Sequence, residues 1–536
     1  MKLKIDKKEL FYLVLILVVA SFFRLWKLNT IPPGIYPDEA INGNEAIFTP
    51  GKVFYKENNG REGLFINIIS VYFALFEKSV LVFRLVPATC GILLVFGIYL
   101  LSKELFEAIS NKQEATRIAL LASFFVAVSF WPVNFARIVF RANLVPLVSV
   151  FAFYFIFRGL RKESVFYSLI AGALFSLGLY TYTSFRLLFL LLPLIFFTWY
   201  FLIWPKQTKV QRKKVLYFAI YFSIAGVLVS LPLLFYFIGN PQDFAGRLSQ
   251  VMIFSQKNPI GAFFKSLISH LAMFNFQGDH NWRHNISGFP LLLWPVGILF
   301  LAGLFYSIKE IYFGFKKKQY SLFAIYSFLI SWWFMALLPS ILTYEAIPHA
   351  LRSIGAIPPT FIFAGLGGAL IFEFIKKKFP FKKGNLNYYL VIFSSILLAF
   401  SFVFTEYTLY FELWARSPQV KNAFSADLME IGNYLNSLPD DIQKYVIVNF
   451  PGVPVPYPNG IPMPAQTPML IEAMKFGRIR SVYLTPQDLD NGKLAPGIKA
   501  EIVLMRCDSE VLGKLALMFP QGHSKEKNGI CIYKIE

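Results

Sequence analysis

The sequence predicts a polytopic α-helical membrane protein of about eleven transmembrane helices, followed by a small C-terminal extracytoplasmic α/β domain. Three observations predict it. Apolar runs of about 17–25 residues, the length that crosses a bilayer as a helix, recur along most of the chain. Lysine and arginine concentrate in alternate loops. The hydropathy then drops after Glu406. The composition agrees, because the 536 residues are 56% hydrophobic and only 15% charged, which is not the profile of a soluble globular protein.

The first run follows a basic N-terminus and ends Phe22-Phe23-Arg24-Leu25-Trp26. No small-x-small cleavage pattern follows it, so an uncleaved transmembrane helix is expected rather than a secretory signal. The spans expected are 9–29, 82–103, 117–134, 143–160, 164–182, 185–204, 215–238, 289–308, 320–342, 352–375 and 388–406. Segment 63–77 is apolar but short. It reads as an interfacial or re-entrant helix, with a spanning helix as the alternative.

With the N-terminus in the cytoplasm, one face receives Lys2, Lys4, Lys7, Lys8, Lys103, Lys112, Arg117, Arg158, Arg161 and Lys162. It also receives Lys206, Lys209, Arg212, Lys213, Lys214, Lys309, Lys316–Lys318, Lys376–Lys378, Lys382 and Lys383. That bias marks the cytoplasmic side of a plasma (inner) membrane. It also accounts for the net charge of +21 without a nucleic-acid partner. The opposite face carries Asp38, Glu39, Glu57, Arg61, Glu62, Arg84, Arg137, Arg141 and Arg186. Loop 239–288, with Arg247, Asp279, His280, Arg283 and His284, lies there too, as do Glu345, His349 and Arg352. Arginine outnumbers lysine on this face near the membrane. Its planar fork matches phosphate oxygens bidentately, so Arg84, Arg137, Arg141, Arg186 and Arg352 are candidate phosphate ligands. Snorkelling to lipid headgroups is the bland alternative.

Residues 1–406 are expected to form the transmembrane domain, with outer loops 30–81 and 239–288, and residues 407–536 the α/β domain. Within the latter, Ala423–Leu438 has helical periodicity, while Tyr445–Asn449, Glu501–Met505 and Ile530–Ile535 read as strands. A proline-dense loop, Pro451–Pro458, lies between. An odd number of helices puts this domain outside, where Cys507 and Cys531 are able to pair, although spacing does not show that they do. Cys90, within an apolar run, reads as packing.

The chemistry centres on Pro32-Pro33-Gly34-Ile35-Tyr36-Pro37-Asp38-Glu39-Ala40. Prolines end the first helix, and adjacent carboxylates follow at its outer mouth. A carboxylate there suits a general base towards an acceptor hydroxyl or amine, or a ligand to a divalent cation (Mg or Mn), the only cofactor left open. Arg137 and Arg141, four residues apart, share one face if their loop is helical. Tyr180 and Tyr182 with Arg186 suit either an aromatic belt or a sugar-phosphate site. Asp279, His280, Trp282, Arg283 and His284 crowd one juxtamembrane stretch able to take sugar, phosphate or metal, with Asp279, His280 and His284 as the metal set. His349 and Arg352 form a further outer-mouth cation site. Tyr180, Tyr182, Asp279, His280, Trp282 and His349 are thus the candidate sugar- and acceptor-binding residues. There is no P-loop, and the helix middles carry few ionisable residues for a proton or ion relay.

Pro-Pro-Gly-x-x-x-Asp-Glu-Ala after a first helix, an outer-loop Arg pair, Tyr180-x-Tyr182-x-x-x-Arg186 and His349-x-x-Arg352-Ser353 together resemble bacterial GT-C glycosyltransferases. The resemblance is to the protein O-mannosyltransferase and aminoarabinose-transferase superfamily and covers about residues 10–406. It implies a hexosyl- or pentosyltransferase with a polyprenyl-phosphate-linked sugar donor and a lipid, glycan or protein acceptor on the outer face. It implies Asp38 as the catalytic carboxylate, with Glu39 beside it, and an inverting attack on the sugar. Many such enzymes carry an acid in the second outer loop, whereas residues 134–143 contain none. The alternatives are a lipid-linked-sugar transporter or flippase, an envelope glycan ligase or polymerase using a diphosphate-linked donor, and a non-catalytic scaffold. Inverted repeats, which a transporter would favour, are not seen.

Overall fold

The computed structural model describes residues 6–203, 205, 207–245, 252–379, 386–455, 460–496 and 499–536. Lys2, Lys4, Lys206, Arg247, Lys382, Lys383 and Pro456–Pro458 lie outside the described residues. The chain is a polytopic α-helical membrane protein with a small C-terminal α/β domain. Among the described residues, 8 helices are long and apolar enough to cross a membrane. They are Val80–Phe106, Arg141–Lys162, Thr183–Ile203, Lys209–Gly239, Trp294–Lys316, Tyr320–Ile341, Ile354–Lys378 and Tyr389–Trp414. The other three expected spans are helical too, as Lys7–Leu25, Lys112–Val128 and Val165–Leu177. Lys7–Leu25 carries Lys7, Lys8, Glu9 and Arg24, and the other two run only 17 and 13 residues. The short apolar segment after the acidic loop forms the helix Leu64–Leu75.

The chain divides into two compact units, 1–26 with 87–414 and 27–86 with 415–536. In the first unit, small residues let helices approach closely, the usual basis of packing where lipid removes a hydrophobic driving force. Trp294–Lys316 and Ile357–Lys378 meet at Gly303 and Gly367. A Cβ on Gly303 would lie 1.9 Å from the Phe363 carbonyl oxygen, and one on Gly367 1.9 Å from that of Leu299. Buried arginines close helix ends here. The last carbonyls of a helix have no partner within it and carry the negative end of its dipole. Arg24 donates to the carbonyls of Ala127 (2.7 Å) and Val126 (3.0 Å), which end Lys112–Val128. Arg137 donates to those of Phe23 (3.0 Å) and Trp26 (2.8 Å), which end Lys7–Leu25.

In the second unit, β1 (Phe54–Tyr55) and β2 (Arg61–Glu62) make a small antiparallel hairpin. A mixed five-stranded sheet uses β3 (Gln443–Ile447), β4 (Val482–Leu484), β5 (Ala500–Leu504), β6 (His523–Lys527) and β7 (Ile530–Ile535). Its order is β4-β3-β5-β7-β6, with β4, β3 and β5 parallel and β7 and β6 antiparallel. Alternate residues face opposite sides. Val446, Val503 and Ile532 pack with Leu428, Leu435 and Met469 on one face, and Tyr445, Ile502 and Tyr533 with Leu489 and Leu515 on the other. Cys507 and Cys531 form a disulfide, with Cα atoms 5.4 Å apart. No sequence pattern announces β4 or β6. β4 has only three residues, and β6 (His-Ser-Lys-Glu-Lys) has no apolar residue to mark a buried side.

The grouping of 27–86 with the C-terminal region differs from the expected division at 406/407. The helix Pro37–Phe48 packs on Gln466–Phe476, where Asn44 donates to the Gln466 side-chain (2.8 Å) and main-chain (3.0 Å) oxygens. Thr467 donates its hydroxyl to the Ile35 carbonyl (3.0 Å). These polar contacts join residues more than 420 positions apart, which no local pattern announces.

Candidate functional site

Pro37 opens the helix Pro37–Phe48, where its missing N–H costs nothing and its fixed φ suits the first turn. Glu39 folds back so that its carboxylate accepts the Tyr36 N–H (3.0 Å), the return half of a capping box, and it is 1% exposed. Asp38, one residue earlier, is half-buried, and its Oδ1 accepts from the Asn58 amide (2.8 Å). The adjacent acids therefore differ in kind: Glu39 is engaged in starting the helix, and Asp38 keeps access to its surroundings. Asn58 sits in the β1–β2 turn, where Asn58, Asn59 and Gly60 take φ of 50°, 64° and 80°. Asparagine and glycine tolerate that left-handed region better than other residues. The Asn-Asn-Gly run is the sequence signal for this turn, and through it for Asn58.

A buried ionic cluster lies in the same unit. Arg61 donates to Asn42 (2.8 Å) and Glu45 (2.5 Å), and its Nε to the Glu57 carbonyl (3.2 Å). Burial pushes the Glu45 carboxyl up from its ordinary value, against the opposing pull of Arg61. Arg84, also in this unit, is 1% exposed and donates to the carbonyls of Leu28 (3.1 Å) and Gly34 (2.5 Å), holding the loop that leads into the helix.

The other predicted arginines lie in the first unit and fall into two kinds. Arg137 is fully buried on the Phe23 and Trp26 carbonyls, with the rings of Tyr410 and Phe411 5.6 and 5.2 Å from its guanidinium. Arg141, Arg186 and Arg352 are half-buried. The Arg141 guanidinium lies 5.1 Å from the Tyr182 ring. Arg186 rests on Phe244 (4.7 Å) and Phe237 (5.4 Å) and donates to the Phe244 carbonyl (2.7 Å). Arg352 binds Glu345 (2.6 Å) and Thr343 (2.9 Å). A guanidinium laid on a ring is held by the attraction of its charge to the ring face. Tyr180 has a different task. Its hydroxyl donates to the Val229 carbonyl (2.6 Å) and accepts the Leu233 N–H (3.2 Å), entering the helix ladder where Pro232 interrupts it.

The stretch from Gln277 to Phe289 is held by its own backbone. The Trp282 carbonyl accepts from the Trp414 indole (2.9 Å), and that of Arg283 from Asn134 (2.8 Å). Asp279 is buried. Its Oδ2 accepts from His284 Nδ1 (2.8 Å) and the Ala350 N–H (2.8 Å), and its Oδ1 accepts the Asn281 N–H (2.8 Å). His349 Nδ1 lies 4.0 Å from the same Oδ2. Burial alone would raise the Asp279 carboxyl, but the hydrogen bond and charge of His284, with His349 and the Asn281 N–H, lower it. Burial holds His349 well below the usual imidazole range, with His284 and Arg352 adding to the shift. Asp279, His284 and His349 bring one donor atom each within 4.8 Å of one another, which fits a divalent cation. His280, expected in the metal set, is instead exposed beside Gln277 (3.2 Å) and Ser287 (3.5 Å). His349 takes that place from a loop some 70 residues away.

A family model described as dolichyl-phosphate-mannose-protein mannosyltransferase matches residues 64–236. No curated protein matches the chain. Among solved structures, ArnT from Cupriavidus metallidurans bound to undecaprenyl phosphate aligns with a TM-score of 0.51 at 14% identity, covering 97% of each chain. The chain has the GT-C fold. AglB, the archaeal oligosaccharyltransferase from Archaeoglobus fulgidus, in complex with an inhibitory peptide and a dolichol-phosphate, aligns with a TM-score of 0.51 at 14% identity, covering 98% of this chain and 74% of that one. A second A. fulgidus oligosaccharyltransferase structure, tethered to an acceptor peptide, aligns with a TM-score of 0.50 at 13% identity and 90% coverage of this chain. The chain spans 64% of that protein's length. At such identities the likeness is one of fold.

Proposed function

We propose that this GT-C chain is a membrane glycosyltransferase that moves a sugar from a polyprenyl-phosphate donor to an extracytoplasmic lipid, glycan or protein acceptor. One observation carries the proposal. Of two adjacent acids at the start of Pro37–Phe48, one is engaged in capping, while Asp38 stays half-buried and oriented by Asn58. That is the state required of a general base. The domain match to a dolichyl-phosphate-mannose transferase family over 64–236 supports the donor class. The ArnT and AglB structures, crystallised or solved with undecaprenyl phosphate and dolichol-phosphate respectively, support it as well.

In the proposed reaction, Asp38 takes the proton of the acceptor hydroxyl or amine as that atom attacks the sugar C1. The bond from C1 to the phosphate oxygen breaks, polyprenyl phosphate leaves, and the anomeric centre inverts. Phosphate is a good leaving group, so the need is countercharge rather than a general acid. Arg141, Arg186 and Arg352 are the arginines best suited to supply it, because they are half-buried whereas Arg84 and Arg137 are fully buried. Tyr182, whose ring lies 5.1 Å from the Arg141 guanidinium, is proposed to meet the sugar next to that phosphate. The proposed orientation has the N-terminus in the cytoplasm and the C-terminal domain outside, where a disulfide such as Cys507–Cys531 persists. Of the cations expected, Mn²⁺ accepts the imidazole donors beside Asp279 more readily than Mg²⁺, which prefers oxygen.

The test is transfer of label from a panel of radiolabelled polyprenyl-phosphate sugars by the purified chain in nanodiscs, with native envelope extract as acceptor. A labelled product of inverted anomeric configuration supports the proposal. A product retaining configuration overturns the single-displacement step, and transfer only from diphosphate-linked donors overturns the donor class.

A further inference from the structure

Two loops of the second unit lead into the parallel strands β3 and β4, and together they line a cavity of about 490 Å³. Asp440, Gln443 and Lys444 form one wall, and Arg478, Ile479 and Arg480 the other. We propose that this cavity binds the phosphate or carboxylate group of an acidic sugar, with Lys444, Arg478 and Arg480 as the cations that hold it. The inference rests on the second unit alone and stands or falls independently of the transferase proposal.

A buried lysine calls for a countercharge, because an ammonium taken out of water loses its hydration. Lys444 is 5% exposed. Among the described residues its Nζ donates to the main-chain oxygens of Pro439 (2.7 Å) and Ile442 (2.9 Å) and pairs with no carboxylate. Burial holds this ammonium below the ordinary lysine value, and the neighbouring Arg480 charge adds to the shift, against the pull of Asp440, Glu472 and Asp441. An ammonium has three donors, and two are spent on carbonyls. The third is left for an anion.

The nearby acids do not supply that anion. The side chains of Asp440 and Asp441 are 80% and 65% exposed, where water screens their charge. Glu472 is fully buried, but it already accepts from the Arg480 and Ser481 N–H groups and from the Ser481 and Tyr483 hydroxyls. Arg480 is held in place. Its guanidinium lies over the Phe476 ring at 3.5 Å and donates to Asp440 (2.5 Å) and the Leu435 carbonyl (3.1 Å), while its Nε–H has no acceptor. Arg478 is exposed and follows Gly477, whose φ of 68° turns the chain out of the helix Gln466–Phe476. The volume suits a sugar-sized molecule rather than a bare ion. Asp440 and Gln443, both exposed, offer an acceptor and a donor to its hydroxyls.

The experiment titrates glucose 6-phosphate, galacturonate and neutral glucose into the full chain in phosphatidylcholine nanodiscs, read by calorimetry. Expected is one site per chain for at least one of the two acids, weakening as salt rises, and none for glucose. Which acid binds more tightly tells phosphate from carboxylate. Arg478→Ala, at an exposed position, is expected to weaken binding at least tenfold, about 1.4 kcal/mol. Lys444→Met is expected to abolish it. Lys514→Ala, outside the cavity, and Arg141→Met, in the first unit, are expected to keep it. The proposal is overturned if neither acid binds or if glucose binds as well as they do. It is also overturned if Arg478→Ala or Lys444→Met binds as tightly as wild type, or if Arg141→Met or Lys514→Ala loses as much as Arg478→Ala. A lower unfolding midpoint for Arg478→Ala with binding unchanged would assign that cation to the end of the preceding helix instead. Should Lys444→Met fail to fold, Arg478→Ala decides alone.

Discussion

Arg137→Met separates the two roles open to a buried arginine beside a helix end. In the structure its guanidinium is fully buried and donates to the Phe23 and Trp26 carbonyls at 3.0 and 2.8 Å. Hydrogen bonds from a charged group contribute about 1.5–3 kcal/mol each, so losing two removes roughly 3–6 kcal/mol. Methionine also removes a buried cation, whose desolvation opposed folding, and it refills part of the volume. A net loss of about 2–4 kcal/mol remains. The assay is thermal unfolding of detergent-purified protein, paired with polyprenyl-phosphate affinity measured well below the transition. A helix-closing role predicts a lower midpoint with donor affinity unchanged in the folded fraction. Unchanged stability together with weakened donor binding would refute this reasoning and return Arg137 to the phosphate ligands.

Arg141→Met is expected to show the converse, with an unfolding midpoint close to wild type and donor affinity reduced at least tenfold, about 1.4 kcal/mol, in a binding titration. Gly367→Leu forces side-chain atoms onto the Leu299 carbonyl, 1.9 Å from its Cβ position, and should abolish a monodisperse, folded preparation on gel filtration. Cys507→Ser with Cys531→Ser opens a loop of sequence separation 24 and is expected to destabilise the C-terminal sheet by about 3 kcal/mol in the chain-entropy treatment, visible as faster proteolysis. Asn58→Ala leaves the Asp38 carboxylate without its 2.8 Å partner and should lower transfer rate with little change in donor affinity, read as a kcat effect in the labelled-sugar assay.

Each expected span has a helix because hydrophobic length is a local property, written in consecutive residues. The first helix, by contrast, stops at Leu25, seven residues before Pro32, so the prolines shape the loop to Asp38 rather than end the helix. Features that depend on pairing across the sequence were not legible. Asn44 with Gln466, and Asp279 with His349, are joined only once the chain has folded. The arginines show a subtler limit. An arginine at a helix mouth has the same sequence signature whether it faces a phosphate or closes the carbonyls of a neighbouring helix, and burial separates Arg84 and Arg137 from Arg141, Arg186 and Arg352. The pair Asp38-Glu39 is similar: adjacent letters with equal charge take different tasks because the first helical turn directs one carboxylate back to Tyr36. Strand β6 carries no alternating pattern because its side chains are all exposed.

The most direct measurement compares wild type with Asp38→Asn for transfer from the labelled polyprenyl-phosphate sugar that wild type accepts, at equal folded amount and saturating donor. Asparagine keeps the size of the side chain and its contact with Asn58 but cannot take a proton. A fall in rate of about 10²–10⁴, with donor affinity retained, is the predicted result. Transfer by Asp38→Asn at the wild-type rate would contradict the assignment of Asp38 as the base.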